Sequence, residues 1–236
     1  MRAWLLERFP VGFEEREGDR VTEIAVYTDA AGRDAVLAVF PASNAEAVEA
    51  GWEDRWREFH RPSVAGGLWI GPPWISPPAG ASVVVVDPGR AFGTGAHPTT
   101  RACIELLSRL DPGSLLDAGC GSGVVAVAAA RLGFAPVTAV DLDHVAVGVA
   151  RETAAANDVA VEAWRGDVLV DELPPADVVV ANIEPGVVEK LLTRVEAGVV
   201  VTSGYLASEQ PAAAGWRSAD RLELEGWAAD VFARPH

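Results

Sequence analysis

Three glycines alternate near the middle of the chain, in the segment DAGCGSG at residues 117–123. Gly119, Gly121 and Gly123 follow a short apolar run, and an alanine-rich segment of helical length comes directly after them. Glycine lets the backbone take positive φ and approach a ligand closely. The spacing differs from the dinucleotide fingerprint GxGxxG, whose pyrophosphate lies at a helix N-terminus. The pattern favours a nucleotide-type ligand, and a purely structural turn is the alternative.

Three polar residues follow later apolar runs in the same way. Asp141 ends the run VTAVD, 22 residues after Gly119, where an acidic side chain can accept hydrogen bonds from ribose hydroxyls. Asp167 follows the next run, where a carboxylate can reach an adenine amino group, and Asn182 ends the run VVVAN. Ligands of open α/β sheets bind outside the carboxyl ends of the strands. We therefore expect all of these residues on one rim.

The elements that position this rim are short, continuous, valine-rich runs between helix-length segments. The runs are SVVVVD, SLLDAG, PVTAVDLD, ADVVVANI and GVVVTSG, and such runs are typical of strands buried on both faces of a parallel sheet. Repeated alternation of strand and helix predicts an α/β fold with a doubly wound, mostly parallel, Rossmann-like sheet. We assign this α/β domain to residues 81–236.

The first 42 residues have a different pattern, which predicts a small α+β domain. The segments Val21–Thr28 and Asp34–Phe40 are expected to be strands, with the turn DAAGRD between them. Such a short segment buries little core by itself.

Residues 43–80 are expected to link the two domains. A helix capped by Ser43 or Asn44 would run to about residue 59 and carry Trp52, Trp56 and Phe59 on one face. The proline-rich stretch 61–80 is expected to be an extended connector.

Composition narrows the classes of function. The chain has 236 residues and a formal net charge of −15, which argues against an extended nucleic-acid surface and suits a basic protein partner, although acidity also serves solubility alone. Cys103, Cys120 and the scattered histidines lack metal-ligand spacing, so no metal site is expected. Neither a membrane span nor a signal peptide is evident, so the expected location is the cytoplasm.

The motifs taken together resemble a known enzyme family. DAGCGSG, VDLD, GD and ANI resemble the motif series of class I S-adenosylmethionine-dependent methyltransferases. The loop DPGRAFGTGAHPTT, residues 87–100, resembles the signature of the ribosomal protein L11 methyltransferases, the PrmA family. GWEDRWREFHRP, LWIGPPW and VTSGYL match as well, so the resemblance is continuous from about Trp52 to Gly204 and fades at both ends.

The resemblance implies a set of site residues. Phe92, Gly93 and Thr94 would flank the methionine end of S-adenosylmethionine. Phe92 and Thr94 would also lie with Asn182 at the methyl-transfer site. His97 is expected to have a purely structural role, with orientation of this loop as the alternative. The residues expected to bind the cofactor are Gly93, Thr100, Asp117, Gly119, Gly121, Asp141, Asp167 and Asn182.

The resemblance also implies a reaction. Family members methylate lysine side chains, and some the N-terminal amine, of one basic ribosomal protein, so ribosomal protein L11 is the expected substrate and residues 1–42 the recognition domain. The chain is expected to act as a monomer, without direct contact to nucleic acid or membrane. Two alternatives stay open. The substrate is another protein or a small amine, or the chain binds the cofactor without having transferase activity. A nicotinamide oxidoreductase is disfavoured by the glycine spacing.

One residue departs from the family pattern. The family usually has an apolar residue after the dipeptide Asn-Ile, where this chain has Glu184. Our hypothesis is that Glu184 contacts the incoming ammonium group or alters substrate choice. The alternative is a glutamate favoured by the dipole of a helix N-terminus.

Overall fold

The computed structural model describes residues 14–17, 22–26, 28, 30–45, 61–87, 93 and 95–235. The chain divides into two compact units, Met1–Glu53 and Asp54–His236. In the first unit, β1 (Glu14–Glu17) pairs antiparallel with β2 (Thr22–Ala25), and α1 (Ala30–Val39) follows.

The strand prediction for the first unit is confirmed at β2 and wrong at Asp34–Phe40. All of this segment except Phe40, and most of the turn predicted before it, lie in α1. A short apolar run does not distinguish a strand from a helix by its periodicity, and the alanines of AAGRDAVLAV favour a helix. The linker helix predicted up to residue 59 falls almost entirely outside the described residues.

In the described part of the second unit, a small three-stranded sheet comes first. Its strands are β3 (Ser63–Ala65), β4 (Leu68–Gly71) and β5 (Ser82–Val85), with β3 antiparallel and β5 parallel to β4. The extended connector is therefore wrong over residues 63–71, because four of its five prolines follow β4 and the fifth, Pro62, precedes β3. The placement of SVVVVD in the main sheet is also wrong, since β5 pairs with β4.

The main sheet has seven strands in the order β11-β12-β10-β9-β6-β7-β8. Adjacent strands from β10 to β8 are parallel, whereas β12 is antiparallel to both of its neighbours, so the mostly parallel sheet is confirmed. The strands are β6 (Leu115–Ala118), β7 (Val137–Asp141), β8 (Glu162–Arg165), β9 (Val178–Asn182), β10 (Val199–Leu206), β11 (Arg217–Leu224) and β12 (Trp227–Ala233).

Four helices cover the two faces of this sheet. One buried cluster joins α2, α3 and α4 to one face, and a second joins α5 to the other, which explains why the central strands are apolar on both sides. No described helix is long and apolar enough to span a lipid bilayer. The helices are α2 (Pro98–Leu107), α3 (Val124–Arg131), α4 (His144–Ala156) and α5 (Pro185–Leu192).

The order of the strands creates a switch point beside β6. The chain runs from β6 outward through β7 to β8, and then returns to β9 on the other side of β6. The connections on the two sides of β6 diverge, which opens a crevice at the carboxyl ends of β6 and β9. The rim expected from the sequence lies at this crevice.

One buried amide ties the small sheet to α4. Asn157, at the end of α4, is 3% exposed. Its Oδ1 accepts from the Val85 N–H at 2.7 Å, and its Nδ2 donates to the Val85 carbonyl at 2.7 Å and to the Thr153 carbonyl at 2.8 Å. Asn157 therefore satisfies both backbone groups of an edge-strand residue.

Replacing this amide is expected to destabilise the second unit strongly. Asn157→Ala leaves the two Val85 backbone groups unpaired, so it should lower the free energy of unfolding by about 2–4 kcal/mol. Thr153→Val removes a single hydroxyl bond to Val149 from the same helix and should cost about 1 kcal/mol. Urea titrations of both variants measure the difference, and equal losses would contradict the assigned role of Asn157.

Candidate functional site

The glycine turn after β6 has the backbone shape that its sequence predicts. Gly119, Gly121 and Gly123 have φ values of +81°, +52° and +75°, a region that residues with a Cβ rarely adopt. The Gly119 N–H donates to the Val140 carbonyl at 2.8 Å, which joins the turn to β7. A Cβ on Gly119 would also overlap the side chain of Ile183. The turn thus needs glycine for its conformation and for its contact with the residue after β9.

Asp141 lies beside this turn, at the end of β7. Its Oδ2 accepts from the Gly121 N–H and its Oδ1 from the Asp143 N–H, both at 2.9 Å. Each carboxylate oxygen has two acceptor positions. Asp141 is therefore fixed by backbone donors and can still accept hydrogen bonds from two ligand hydroxyls.

Asn182 and Thr100 meet at the same rim from β9 and α2. Both were predicted site residues, 82 positions apart, and Asn182 Nδ2 donates to Thr100 Oγ1 at 3.4 Å. Thr100 is 2% exposed, whereas Asn182 is half-buried. The contact brings the first turn of α2 to the carboxyl end of β9.

His97 caps α2, which supports its structural interpretation. Its Nδ1 accepts from the Thr99 N–H at 3.4 Å and lies 2.8 Å from Thr99 Oγ1. Its ring packs edge-on against Trp227, with the centroids 4.9 Å apart. A side chain that accepts from the first turn is the usual stabiliser of a helix start.

Part of the loop before α2 is anchored at two glycines. Ser122 Oγ, in the glycine turn, donates to the Gly93 carbonyl at 2.5 Å, and Ser63 Oγ donates to the Gly95 carbonyl at 2.9 Å. The sequence reasoning missed both serines. Ser122 lies inside the glycine motif, and that position could have indicated it as a site residue. No motif or pattern in the sequence indicated Ser63.

Two of the predicted site residues lie outside the described residues. Phe92 and Thr94 belong to this same loop, and their assignment to the methyl-transfer site stays a prediction.

Asp167 follows β8, the outer neighbour of β7. Its Oδ1 accepts from the Leu169 N–H at 2.8 Å, and its own N–H donates to Asp171 Oδ2 at 2.8 Å. These bonds shape the turn after β8 and fix the Asp167 carboxylate, which remains half-buried. The glycine turn after β6 and the polar residues at the ends of β7, β8 and β9 thus share one edge of the sheet, as expected.

Asp117 differs from the rim residues because it is only 2% exposed. Its Oδ2 accepts from the Ala126 N–H at 3.0 Å, beneath the glycine turn. Burial raises the pKa of the Asp117 carboxyl to about 7, the Ala126 hydrogen bond opposes that shift, and the negative charge of Asp141 adds to it. The geometry gives Asp117 a supporting position, and its predicted contact with the cofactor stays a prediction.

The comparison with known families settles the classification of the chain. The model of the family described as ribosomal protein L11 methyltransferase (PrmA) matches residues 17–234. The chain belongs to the PrmA family.

Individual relatives agree with this assignment. A ribosomal protein L11 methyltransferase from Shewanella baltica is 43% identical over 66% of this chain, and one from Caldicellulosiruptor saccharolyticus is 38% identical over 68%. A crystal structure of the ribosomal protein L11 methylase from Lactobacillus delbrueckii subsp. bulgaricus has a TM-score of 0.66 and 28% identity, and the match covers 72% of this chain and 96% of that one. The matches cover 55% and 56% of the two curated relatives. The chain thus spans little more than half of their length.

The buried carboxyl below the turn predicts a pH effect on the stability of this PrmA-family chain. The folded state holds the Asp117 proton up to a pH of about 7, whereas an ordinary aspartate loses it near 3.8. The folded state therefore binds more protons between these values, so this group lowers the free energy of unfolding as the pH rises, by at most about 1.4 kcal/mol per pH unit. The contribution of Asp117 to the free energy of unfolding stops falling once the pH exceeds the pKa of the folded state.

Asp117→Asn removes that titration. Between about pH 5 and about pH 7, the free energy of unfolding of the variant should gain about 2 kcal/mol relative to the unmodified chain. Urea titrations at both values measure the gain. Parallel pH profiles of the two proteins would contradict the raised pKa.

Proposed function

We propose that this chain is an S-adenosylmethionine-dependent methyltransferase that methylates amino groups of ribosomal protein L11. The observation that carries the proposal is that the glycine turn after β6 shares one edge of the sheet with polar residues at the ends of β7, β8 and β9, in a chain that the PrmA family model matches over residues 17–234. Such a target implies a cytoplasmic location. The relatives' printed names support the substrate.

The chemistry of the rim fits this cofactor. Asp141 retains acceptor positions for two ribose hydroxyls, and Asp167 would accept from the adenine amino group. The turn at Gly119 and Gly121 leaves room for close approach of the ligand to the backbone. When bound, S-adenosylmethionine supplies an electrophilic methyl group on a sulfonium, and its leaving group is neutral.

The residues of the chain then have to orient a neutral amine. The lysine pKa is ordinarily about 10.4, and burial next to a positive charge lowers it. Asn182 donates through Nδ2 to Thr100, so its Oδ1 is the atom that can accept from the amine. Positioning and exclusion of water suffice for a transfer that needs no strong base.

Glu184 is the candidate contact for the ammonium form of the substrate. It precedes α5 with an extended backbone, φ −57° and ψ 142°, and its side chain makes no capping hydrogen bond. It is exposed and adjoins the Asn182–Ile183 segment. Helix capping, which favours serine, threonine, aspartate and asparagine, does not explain a glutamate here, so the helix dipole is the structural alternative. Its carboxylate would attract a cation approaching Asn182.

Methylation of the ribosomal protein tests the proposed function directly. The purified chain is incubated with labelled S-adenosylmethionine and the L11 protein of its own organism, and methyl groups are mapped by mass spectrometry. Methylated amines in L11 are the expected result. Cofactor binding without transfer to L11 would favour another protein or a small amine as the substrate, and absence of cofactor binding would overturn the methyltransferase assignment.

A pair of variants controls this experiment. Asp141→Asn should weaken the binding of S-adenosylmethionine by about 10-fold to 100-fold, because a charged acceptor of two hydroxyls is lost. Asp143→Asn removes the same charge two residues away, and asparagine caps α4 as well as aspartate does. The Kd of S-adenosylmethionine for Asp143→Asn should stay within about twofold of its value for the unmodified chain. Isothermal titration measures both constants.

Recognition of L11 by residues 1–42 is part of the proposal. The family resemblance supports this role. Loss of recognition is expected to raise KM for the protein substrate. A small amine that is methylated as efficiently as L11 would contradict this role.

The Glu184 proposal makes a separate prediction about specificity. Glu184→Gln and Glu184→Leu should raise KM for the amine substrate by about threefold to tenfold, because an ion pair is lost, while the Kd of the cofactor is unchanged. Glu162→Gln removes an exposed carboxylate at the opposite end of the sheet, at the start of β8, and serves as the control. Unchanged KM and an unchanged pH profile in both Glu184 variants would remove the hypothesis.

A further inference from the structure

A buried polar network lies beside the site, between β10, β11 and β12. Asp230 and Thr202 are fully buried, and Tyr205 is 1% exposed. The Tyr205 hydroxyl donates to Asp230 Oδ2 at 2.8 Å and lies 2.7 Å from Thr202 Oγ1. Thr202 and Tyr205 lie in the VTSGYL match, but the sequence predicted no role for any of these residues, and none belongs to the proposed catalytic set.

Arg221 closes the network from β11. Its Nη1 donates to Asp230 Oδ2 at 2.8 Å, and its Nη2 donates to the carbonyls of Ala207 and Glu209 at 2.8 and 3.0 Å. One guanidinium therefore connects the buried carboxylate to the segment that follows β10. Gln210 Nε2 adds a weaker bond to Asp230 Oδ1, at 3.3 Å.

The network spans a bulge in β10. The register between β10 and β12 shifts between Ser203 and Tyr205, and Gly204 within the shift has φ +105°. Thr202 precedes the bulge and Tyr205 follows it, so the contact between their hydroxyls bridges the extra residue. A bulge re-aims the strand and the side chains that follow it.

The bulge in turn contacts the segment that carries the proposed amine site. The Ile183 N–H donates to the Ser203 carbonyl at 3.1 Å. A Cβ on Gly204 would overlap the Ile183 carbonyl oxygen and lie 2.8 Å from its carbonyl carbon. The backbone between Asn182 and Glu184 is thus held against the bulge.

We propose that Thr202, Tyr205, Asp230 and Arg221 form a positioning device that fixes the bulge at Gly204 and thereby orients Asn182 and Glu184. They are positioning residues, because they act through the backbone of Ile183. The inference rests on the proposed function only for the role of Asn182 in orienting the amine. Apolar residues would fill the same volume, whereas directional hydrogen bonds specify one geometry.

The amide side chains of the chain allow a direct test that does not depend on activity. The sequence contains three asparagines and one glutamine: Asn44, Asn157, Asn182 and Gln210. A 15N-labelled sample should show four side-chain amide groups, each assigned by replacing its residue with the corresponding acid. Gln210 reports on the network, Asn182 on the site, and Asn157 on the rest of the second unit.

Tyr205→Phe removes the bridging hydroxyl and keeps the ring. We expect the amide signals of Gln210 and Asn182 to shift, while that of Asn157 does not. In single-turnover assays the methyl-transfer rate should fall by about tenfold, with the Kd of S-adenosylmethionine within about twofold. Thr202→Val removes the other bridging hydroxyl at nearly constant volume, and it replaces Tyr205→Phe should that variant not fold.

Ser114→Ala is the matched control. Ser114 Oγ donates to Asp177 Oδ2 at 2.7 Å and accepts from the Asp177 N–H at 2.9 Å, which joins β6 and β9 at their amino ends. Its loss should lower stability without moving the Asn182 signal or the transfer rate. An unmoved Asn182 signal in the folded hydroxyl variants would overturn the positioning device. A shifted signal in a protein that transfers no methyl group to any amine would retain the device and reject the proposed function.

Discussion

The close approach of Ile183 to two glycines is the constraint on which the site depends. Its side chain occupies the space where a Cβ of Gly119 would lie, and its backbone carbonyl occupies the corresponding space at Gly204. The end of β9 is therefore held between the turn after β6 and the bulge of β10. Both glycines also have positive φ, so a side chain at either position would be strained as well as crowded. The position of Asn182 relative to the glycine turn follows from this packing.

Two buried carboxyl groups lie near the two segments that contact Ile183: Asp117 beneath the glycine turn, and Asp230 in the network at the bulge of β10. Asp117 accepts a peptide N–H beneath the glycine turn, and its pKa is raised to about 7 because burial disfavours the charged form. Asp230 is paired with Arg221 and with the Tyr205 hydroxyl. Buried charges of this kind are weak sources of net stability. Their contribution here is geometric, since Asp117 fixes the start of α3 after the glycine turn and Asp230 joins side chains of β10 and β11.

Most residues of the rim could be predicted from the sequence. Positive-φ glycines and polar residues at strand ends are local features, and each depends only on neighbouring residues. The valine-rich runs predicted parallel strands because burial on both faces removes alternation. Once the strands are parallel, their carboxyl ends share one edge, so Asp141, Asp167 and Asn182 had to lie there.

The partners that hold this rim in place were decided only by the tertiary structure. Asn157 meets Val85, and Ser63 meets Gly95, across 72 and 32 positions of sequence. Tyr205, Arg221 and Asp230 meet because a bulge and two antiparallel pairings set their register, and a shift of one residue would turn each side chain to the other face. The sequence determined which residues can bind and where strands and glycines occur, because those are local properties. Which buried groups pair with one another depends on register and long-range packing, and that information exists only in the folded chain.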